Sequence, residues 1–413
     1  RLGGTLIWAT RFEEAKQTKR QGGKGGGQKV TEYSYHGNAA FALCEGPIAG
    51  VRRVWADGQE VDLTKIDMRV YLGTEDQPTD PLIEVKQGTG NAPAYRGTAY
   101  VVIERLPLDS YGNRLPQFNF EVLRPAGGME RDIRAITLIP GSTEYGLSTA
   151  QVKLERRPGE TELVNRHVLH AGTDLEASLD ELRMLCPNLK HVALVASWYG
   201  SDLRAGNCLI RPAVVDNGAA AYSQDWRVSG VSRGKAIEVS RHEGHAAYGG
   251  SPSDRSVVEA IQAIKARGFK VTLYPFVMMD IPAGNSLPDP YGAGYQQAYP
   301  WRGRITSHKA PRQPGTPDKT SAARTQVDAF CGTVSRGAFT VSGANVTYSG
   351  PANEWRYRRL ILHYANLAKA AGGVDAFLIG SELRGLTSLR DEAGAFPFLG
   401  QLFAFAAGAR IVP

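Results

Sequence analysis

The chain has 413 residues, more than one ordinary domain uses, so two or three domains are expected. Hydrophobic residues make up 42% and charged residues 22%, which excludes a disordered or fibrous class and leaves enough apolar side chain for a sizeable core. The net charge of +7 is concentrated: residues 1–30 carry seven Lys/Arg against two Glu, 301–324 carry six against one Asp, and the rest is slightly acidic.

Both basic segments are rich in Gly or Pro and read as solvated loops. Neither has the interleaved aromatics or the recognition helix that direct DNA binding calls for. The 47 glycines and 23 prolines imply many turns rather than a helical bundle. Cys44, Cys186, Cys208 and Cys331 are scattered with no CxxC pair, which argues against a zinc ribbon and a dense disulfide framework and leaves pairing open. No apolar run approaches the roughly 18 residues of a membrane helix. The chain opens on Arg1 inside a strand-like pattern and ends on "GARIVP", so it reads as an internal piece of a longer polypeptide.

In chain order, residues 1–160 read as strands and turns. "GTLIWATRFEE" and "KVTEYSYHGNAAFALCEGPI" flank "QGGKGGGQK", predicting a long hairpin with a mobile glycine tip. The tip is not a phosphate loop, because Lys24 is followed by Gly25 rather than Ser or Thr at a helix start. "VRRVWADGQEV" predicts a tight turn at Asp57-Gly58. Nothing here assembles a catalytic set.

The character changes near 160. Thr173 or Asp174 caps a helix with a Leu175, Leu179, Leu182, Leu185 stripe, stopped by Pro187. "HVALVASWYG" reads as a buried strand, and "AIEVSR" as another, weaker one. Ser251-Pro252 opens a helix closed by Gly268, and "FKVTLYPFVMM" is the next strand. An insertion over 281–352 contains a hairpin-like "AFTVSGANVTYSG". The helix "EWRYRRLILHYANLAKAAGG", the strand "VDAFLIGSE" and a helical "FPFLGQLFAFAAGAR" follow. Alternating strands and helices mean parallel β/α architecture. With only four strands visible, 161–413 reads as the first half of a barrel, its other half lying beyond Pro413 or absent.

"AYRGTAYVVIERLPLDSYGNRLPQFNFEV" resembles the signature of phage tail-tip and baseplate hub proteins. "LVASWYGSDLRAGNCLIRP", "GGSPSDRSVVEAIQAIKARGFKVTLYPFVMMDIP", "YPWRGRIT" and "FLIGSELRGLT" are similar to the barrel-like domain of gene transfer agent tail proteins, the "megatron" type. Gene transfer agents are phage-derived particles that deliver host DNA. The resemblance implies an α+β multidomain chain, with a β-rich hub region over 1–160 and a glycosidase-like partial TIM barrel over 161–413. It implies residence at the tail tip or baseplate of a phage-like virion, and assembly as a homo-oligomer, usually a trimer. Expected partners are the distal tail protein, a neighbouring hub protein and a cell-wall peptidase. Host envelope glycan would be met outside, and DNA would pass through the channel without sequence-specific binding. No cofactor and no metal is implied.

On the strand reading, Glu382 in "GSE" falls at the carboxyl end of the fourth strand, where barrel active sites lie. Retaining glycosidases of the largest barrel clan carry their acid/base there, usually as Asn-Glu; Ser381-Glu382 departs from that pattern. Pairing with Arg384 or Arg241 is the purely structural alternative for Glu382. Trp198, Tyr199, Arg241, Tyr274, Asp280 and Trp301 are candidate glycan contacts, since aromatic faces suit the C–H faces of sugar rings. Tyr274 equally fits a core position. "RHEGHAAYGG" spaces its histidines three apart beside glycines, which suits a solvated loop rather than a zinc site. Two readings stand, a structural host-contact protein and a glycoside hydrolase, with a DNA-binding module behind both.

Overall fold

The computed structural model describes every residue except 22–27, 140–142, 219–220, 301–303 and 411–413. Contacts divide the chain into two compact units, Arg1–Ile133 with His167–Asn188, and Arg134–Arg166 with Leu189–Pro413. Mixed antiparallel and parallel sheets with helices make the chain α+β. Among the described residues no helix is long and apolar enough to cross a membrane.

All described strand pairs of the first unit are antiparallel. Glu13–Gln21 and Gln28–Glu45 form the long hairpin, paired from Glu13↔His36 to Gln21↔Gln28. Its glycine tip lies outside the described residues. Gln28–Glu45 continues between Thr5–Ala9 and Thr98–Pro107, with Asp67–Tyr71 at the far edge. Another sheet orders Leu2–Gly3, Phe118–Leu123, Gly50–Ala56 and Gln59–Glu60. Val101, Ile103 and Phe41 of the former meet Val54, Phe118 and Phe120 of the latter. On the other face Tyr100 and Val102 pack on Ile83, from the helix Pro81–Gln87. Residues 99–103 are therefore all buried, which is why "TAYVVIE" reads as an unbroken apolar run.

Local chemistry sets the turns of this unit. Asp57 and Gly58 take φ values of 48° and 86°, as a two-residue hairpin turn requires. Asp80 caps the helix Pro81–Gln87 by accepting from the Leu82 and Ile83 amides, and also accepts from Arg69 and Tyr71. Helix Asp174–Leu185 starts as expected, with Thr173 accepting from the Glu176 amide, and groups with this first unit.

Among the described residues, the main sheet of the second unit has four parallel strands in spatial order: β1 (Ala135–Leu138), β2 (His191–Gly200), β3 (Lys270–Met279) and β4 (Ala376–Phe377). β2 and β3 pair over ten residues, from His191↔Lys270 to Gly200↔Met279. Two expectations exchange places. "AIEVSR" contributes only Ile237–Glu238, which pairs with Ala213–Val214 in a separate small sheet. Both residues are exposed, so the segment lacks the cover an inner strand needs. Ala135–Leu138, expected in the hub region, takes the outer position beside β2 instead. β4 is shorter than "VDAFLIGSE" suggests, although the Asp375 and Leu378 amides extend its ladder to Val271 and Leu273 carbonyls. Among the described residues the sheet is open and does not close into a barrel.

Helix α1 (Asp254–Ala266) begins two residues later than expected, because Ser253 rather than Ser251 accepts the capping amide of Ser256. The insertion holds the expected hairpin, Phe339–Ser342 with Asn345–Tyr348, and also an unforeseen helix α2 (Ser321–Cys331). Helix α3 (Tyr357–Ala370) is buried along most of its length. Its Tyr357 meets Phe330 of α2 at 5.2 Å, and Phe398 and Phe405 of α4 (Pro397–Arg410) at 6.2 and 5.7 Å.

Candidate functional site at the strand ends

Alternation along β2 and β3 sends side chains to two different surroundings. On one face, Trp198 is fully buried against Trp355, His363 and Tyr364, with ring centroids 5.9, 5.1 and 6.1 Å away. On the other, Val195, Tyr199, Phe276 and Met278 are roofed by Ala213, Val239, Ala246 and Tyr248 from the long loop after β2. The Tyr199 hydroxyl donates to the Gly250 carbonyl at 3.0 Å. Trp198 and Tyr199 thus pack in the core and present no open ring to a sugar. The physical reason is long-range: the returning loop covers Tyr199, while Trp355 and helix α3 cover Trp198.

Tyr274 lies half-buried on the roofed face, and its hydroxyl bonds the Ser381 hydroxyl. That bond joins the middle of β3 to the segment carrying Glu382. The Tyr357 hydroxyl donates to the Ile379 carbonyl at 3.1 Å and fixes the same segment from α3. Glu382 itself is past the strand, in a left-handed conformation (φ 56°) with an exposed side chain, just before the helical turn Arg384–Thr387. It stands in a loop beyond the fourth parallel strand and not on the strand.

Arg241 belongs to a two-residue-turn hairpin, Arg241–His242 with His245–Ala246, with Glu243 and Gly244 at φ 51° and 82°. "RHEGHA" is therefore a hairpin with exposed histidines. The Arg241 guanidinium is exposed, 3.7 Å from Glu238. Trp301 lies outside the described residues. Among the described residues, no three His, Cys, Asp or Glu side chains converge to hold a metal ion.

Asp280 is the candidate that the fold treats most specifically. It follows β3 directly, and its amide donates to the Gly200 carbonyl at 2.9 Å. Its Oδ2 accepts from the Ser240 amide at 2.8 Å. Burial pushes its carboxyl above the usual carboxylate range, and the bonds from Ser240 oppose that in part. Arg211, missed in the sequence, pairs with Tyr199 on a short antiparallel strand at the end of β2. Arg211 and Asp280 line one cavity of about 80 Å³ with Tyr199, Gly200 and Leu209. Nearby, buried Asp202 accepts from Arg204 at 2.6 Å and from Gln296 at 2.7 Å, fastening the loop after β2 to the loop after β3. In "NCLIRP" nothing distinguishes Arg211 from any loop arginine, because the pairing that aims it spans the strand and its returning loop.

Residues 355–412, which include Glu382, match the family model of the gene transfer agent TIM-barrel-like domain. A chain of the solved virion of a native gene transfer agent particle is 46% identical, over 33% of this chain and 29% of that one, with a TM-score of 0.27. The match thus spans less than a third of that virion chain. No curated protein matches. Both likenesses are to gene transfer agents, which are phage-like particles.

Proposed function

We propose that the chain is a structural component of the tail tip of a gene-transfer-agent type of particle. In this reading it is a hub protein of the megatron kind. The first unit assembles with copies of itself, as a trimer, into a collar closing the tail tube, and the second meets envelope glycan of the recipient cell. The observation that carries the proposal is the family match over 355–412, which spans α3, β4 and α4. The long hairpin supports the collar. Its residues 28–34 pair only with 15–21 among the described strands, and a lone two-stranded ribbon is marginal in water without a neighbour. Tyr33 on it is half exposed, with the Lys16 ammonium 5.8 Å from the ring. The distal tail protein, a neighbouring hub protein and a cell-wall peptidase would adjoin the collar, and DNA would pass without sequence-specific contact. Gold labelling of this chain on purified particles tests the proposal. Label at the tail end is expected, and label on the head or nowhere on the particle refutes it.

A second reading, a glycoside hydrolase, draws on one feature: an exposed carboxyl, Glu382, follows the fourth parallel strand. Such chemistry needs a partner carboxylate about 5–5.5 Å away for retention, or about 6.5–9.5 Å for inversion. Assay of the Glu382→Gln protein on envelope polysaccharide separates the readings. Turnover by the parent that the variant loses favours the hydrolase, and unchanged turnover removes Glu382 from any mechanism.

A further inference from the structure

We infer that the long hairpin joins copies of this chain edge to edge: the free backbone edge of 28–34 in one copy pairs, antiparallel, with the free edge of 15–21 in the next. The inference rests on the collar reading above and names the bonds that hold that collar together.

The direction of the backbone groups carries it. Along a strand, the amide and carbonyl of one residue point to one side and those of the next residue to the other. The Tyr35 carbonyl accepts from the Leu108 amide at 2.9 Å, so Tyr35 faces the strand Thr98–Pro107. Two and four residues back, Tyr33 and Thr31 face the same side, with no break in register between them. The pairing of Thr98–Pro107 ends at His36, and among the described strands nothing takes the positions beside Thr31 and Tyr33. Across the hairpin, Thr31 stands opposite Thr18 and Tyr33 opposite Lys16. Partners in such pairs turn their amides and carbonyls away from each other, so Thr18 and Lys16 present theirs on the hairpin's outer side. All four residues are exposed. Each hairpin therefore carries two open edges, one on either strand, and neither is blunted by a proline or a bulge.

The chemistry of the edges selects the occupant. Exposed Lys16, Gln17, Thr18 and Thr31 leave neither face apolar enough for a partner packed flat against it. What the hairpin offers is its rows of donors and acceptors. A foreign strand added to one edge leaves the other open. A second copy of this chain, placed head to tail, uses one edge of each hairpin, and a ring of copies uses both. Around such a ring every 13–21 strand runs one way and every 28–36 strand the other. Each junction is then antiparallel, like all described strand pairs of the first unit. Lys16 faces the 31–33 stretch of the next copy rather than its own counterpart, which keeps like charges apart across the junction. With the three copies of the collar reading, two strands from each hairpin close into a barrel of six and no edge remains.

Sedimentation of the full chain over a range of concentrations tests the inference. The parent should form a trimer. Thr31→Pro and Tyr33→Pro each remove an amide that the junction uses and the hairpin itself does not, and each should weaken assembly about tenfold or more. Tyr33→Thr keeps the amide and deletes the ring, and should assemble within about twofold of the parent. If both proline variants assemble like the parent, or if Tyr33→Thr fails as Tyr33→Pro does, edge pairing is overturned while the collar reading stands. A parent that stays monomeric removes the collar and the pairing with it. Hydrogen exchange on the parent alone guards against proline variants that misfold. The Thr31 and Tyr33 amides should exchange at least about tenfold more slowly in the trimer than in the diluted monomer. Equal exchange in the two states refutes the inference.

Discussion

Thr98–Pro107 in the first unit and β2 in the other share one sequence pattern, a run of apolar residues without alternation. One lies in an antiparallel sheet and the other in a parallel one. Both are covered on two faces, and double cover alone removes the period of two. Direction is set by the connection. Antiparallel neighbours in the first unit follow turns such as Asp57-Gly58, whereas β2 reaches β3 only after the long roofing loop and α1. The units also treat charge differently. The first keeps many of its ion pairs at partly exposed strand edges, such as Arg105–Glu13. The second buries Glu144 against Arg233.

The sharpest way to break the comparison is to damage one core and watch the other. Trp198→Ala should cost about 3–5 kcal/mol, because a large ring leaves a cavity between β2 and α3. Denaturant unfolding should lose the second unit's transition and keep the first's; a joint shift would mean that the cores are not independent. Asp80→Ala acts on the other side, with an expected loss of about 2–4 kcal/mol. It removes a helix cap and leaves Arg69 with only partly exposed carboxylates to pair with. The urea midpoint of the first unit measures it.

Acid distinguishes the units next. Hydrogen bonds from Arg52 and then Arg53 hold Glu121 down to about 2, below its ordinary 4.5. A folded value below the unfolded one means that stability is complete above about 4.5 and drains away as pH falls from there toward 2. The size should be about 1–2 kcal/mol, and Glu121→Gln should flatten that part of the stability–pH curve of the first unit. Asp280 works in the opposite sense. Burial raises its carboxyl, so its contribution is present below the ordinary 3.8 and is lost as pH rises through the raised value. An acid titration in which both units weaken in parallel would contradict this. The smallest effect belongs to the first unit's edge. Lys86→Ala removes an exposed ammonium 3.7 Å from Glu13, and the melting curve should shift by less than about 0.5 kcal/mol.

Legibility follows the range of the interactions. Thr173 as a cap, Asp57-Gly58 as a turn, and the 339–348 hairpin depend on neighbours a few residues away and can be read directly. Helix α2 is also written locally, with Ala323, Val327, Phe330 and Cys331 on one face, but the Pro- and Gly-rich stretch around it masks the pattern. Among the described residues the main sheet has four parallel strands, the number expected but with one different member, since nothing local tells Ala135–Leu138 from a hub strand or Ile237–Glu238 from an inner one. Among the site candidates, Asp280 and Glu382 are legible from their places after strands. Whether an aromatic ring faces a cleft or a core is decided by distant chain, so Trp198 and Tyr199 pass for surface rings in the sequence. Arg211 has no local signal at all.

The strand Gly50–Ala56 shows how a core can absorb an extra residue. Val51 stands opposite Val122 and Val54 opposite Phe120, so three steps on one strand match two on its neighbour, and both arginines between them reach Glu121. Excising either arginine would turn the bulge into a regular ladder with both valines still inward. Excising any core-facing residue of that strand would turn its remaining side chains inside out. Natural length variation in this strand therefore has one cheap address, and it is marked by a pair of adjacent cations sharing one carboxylate.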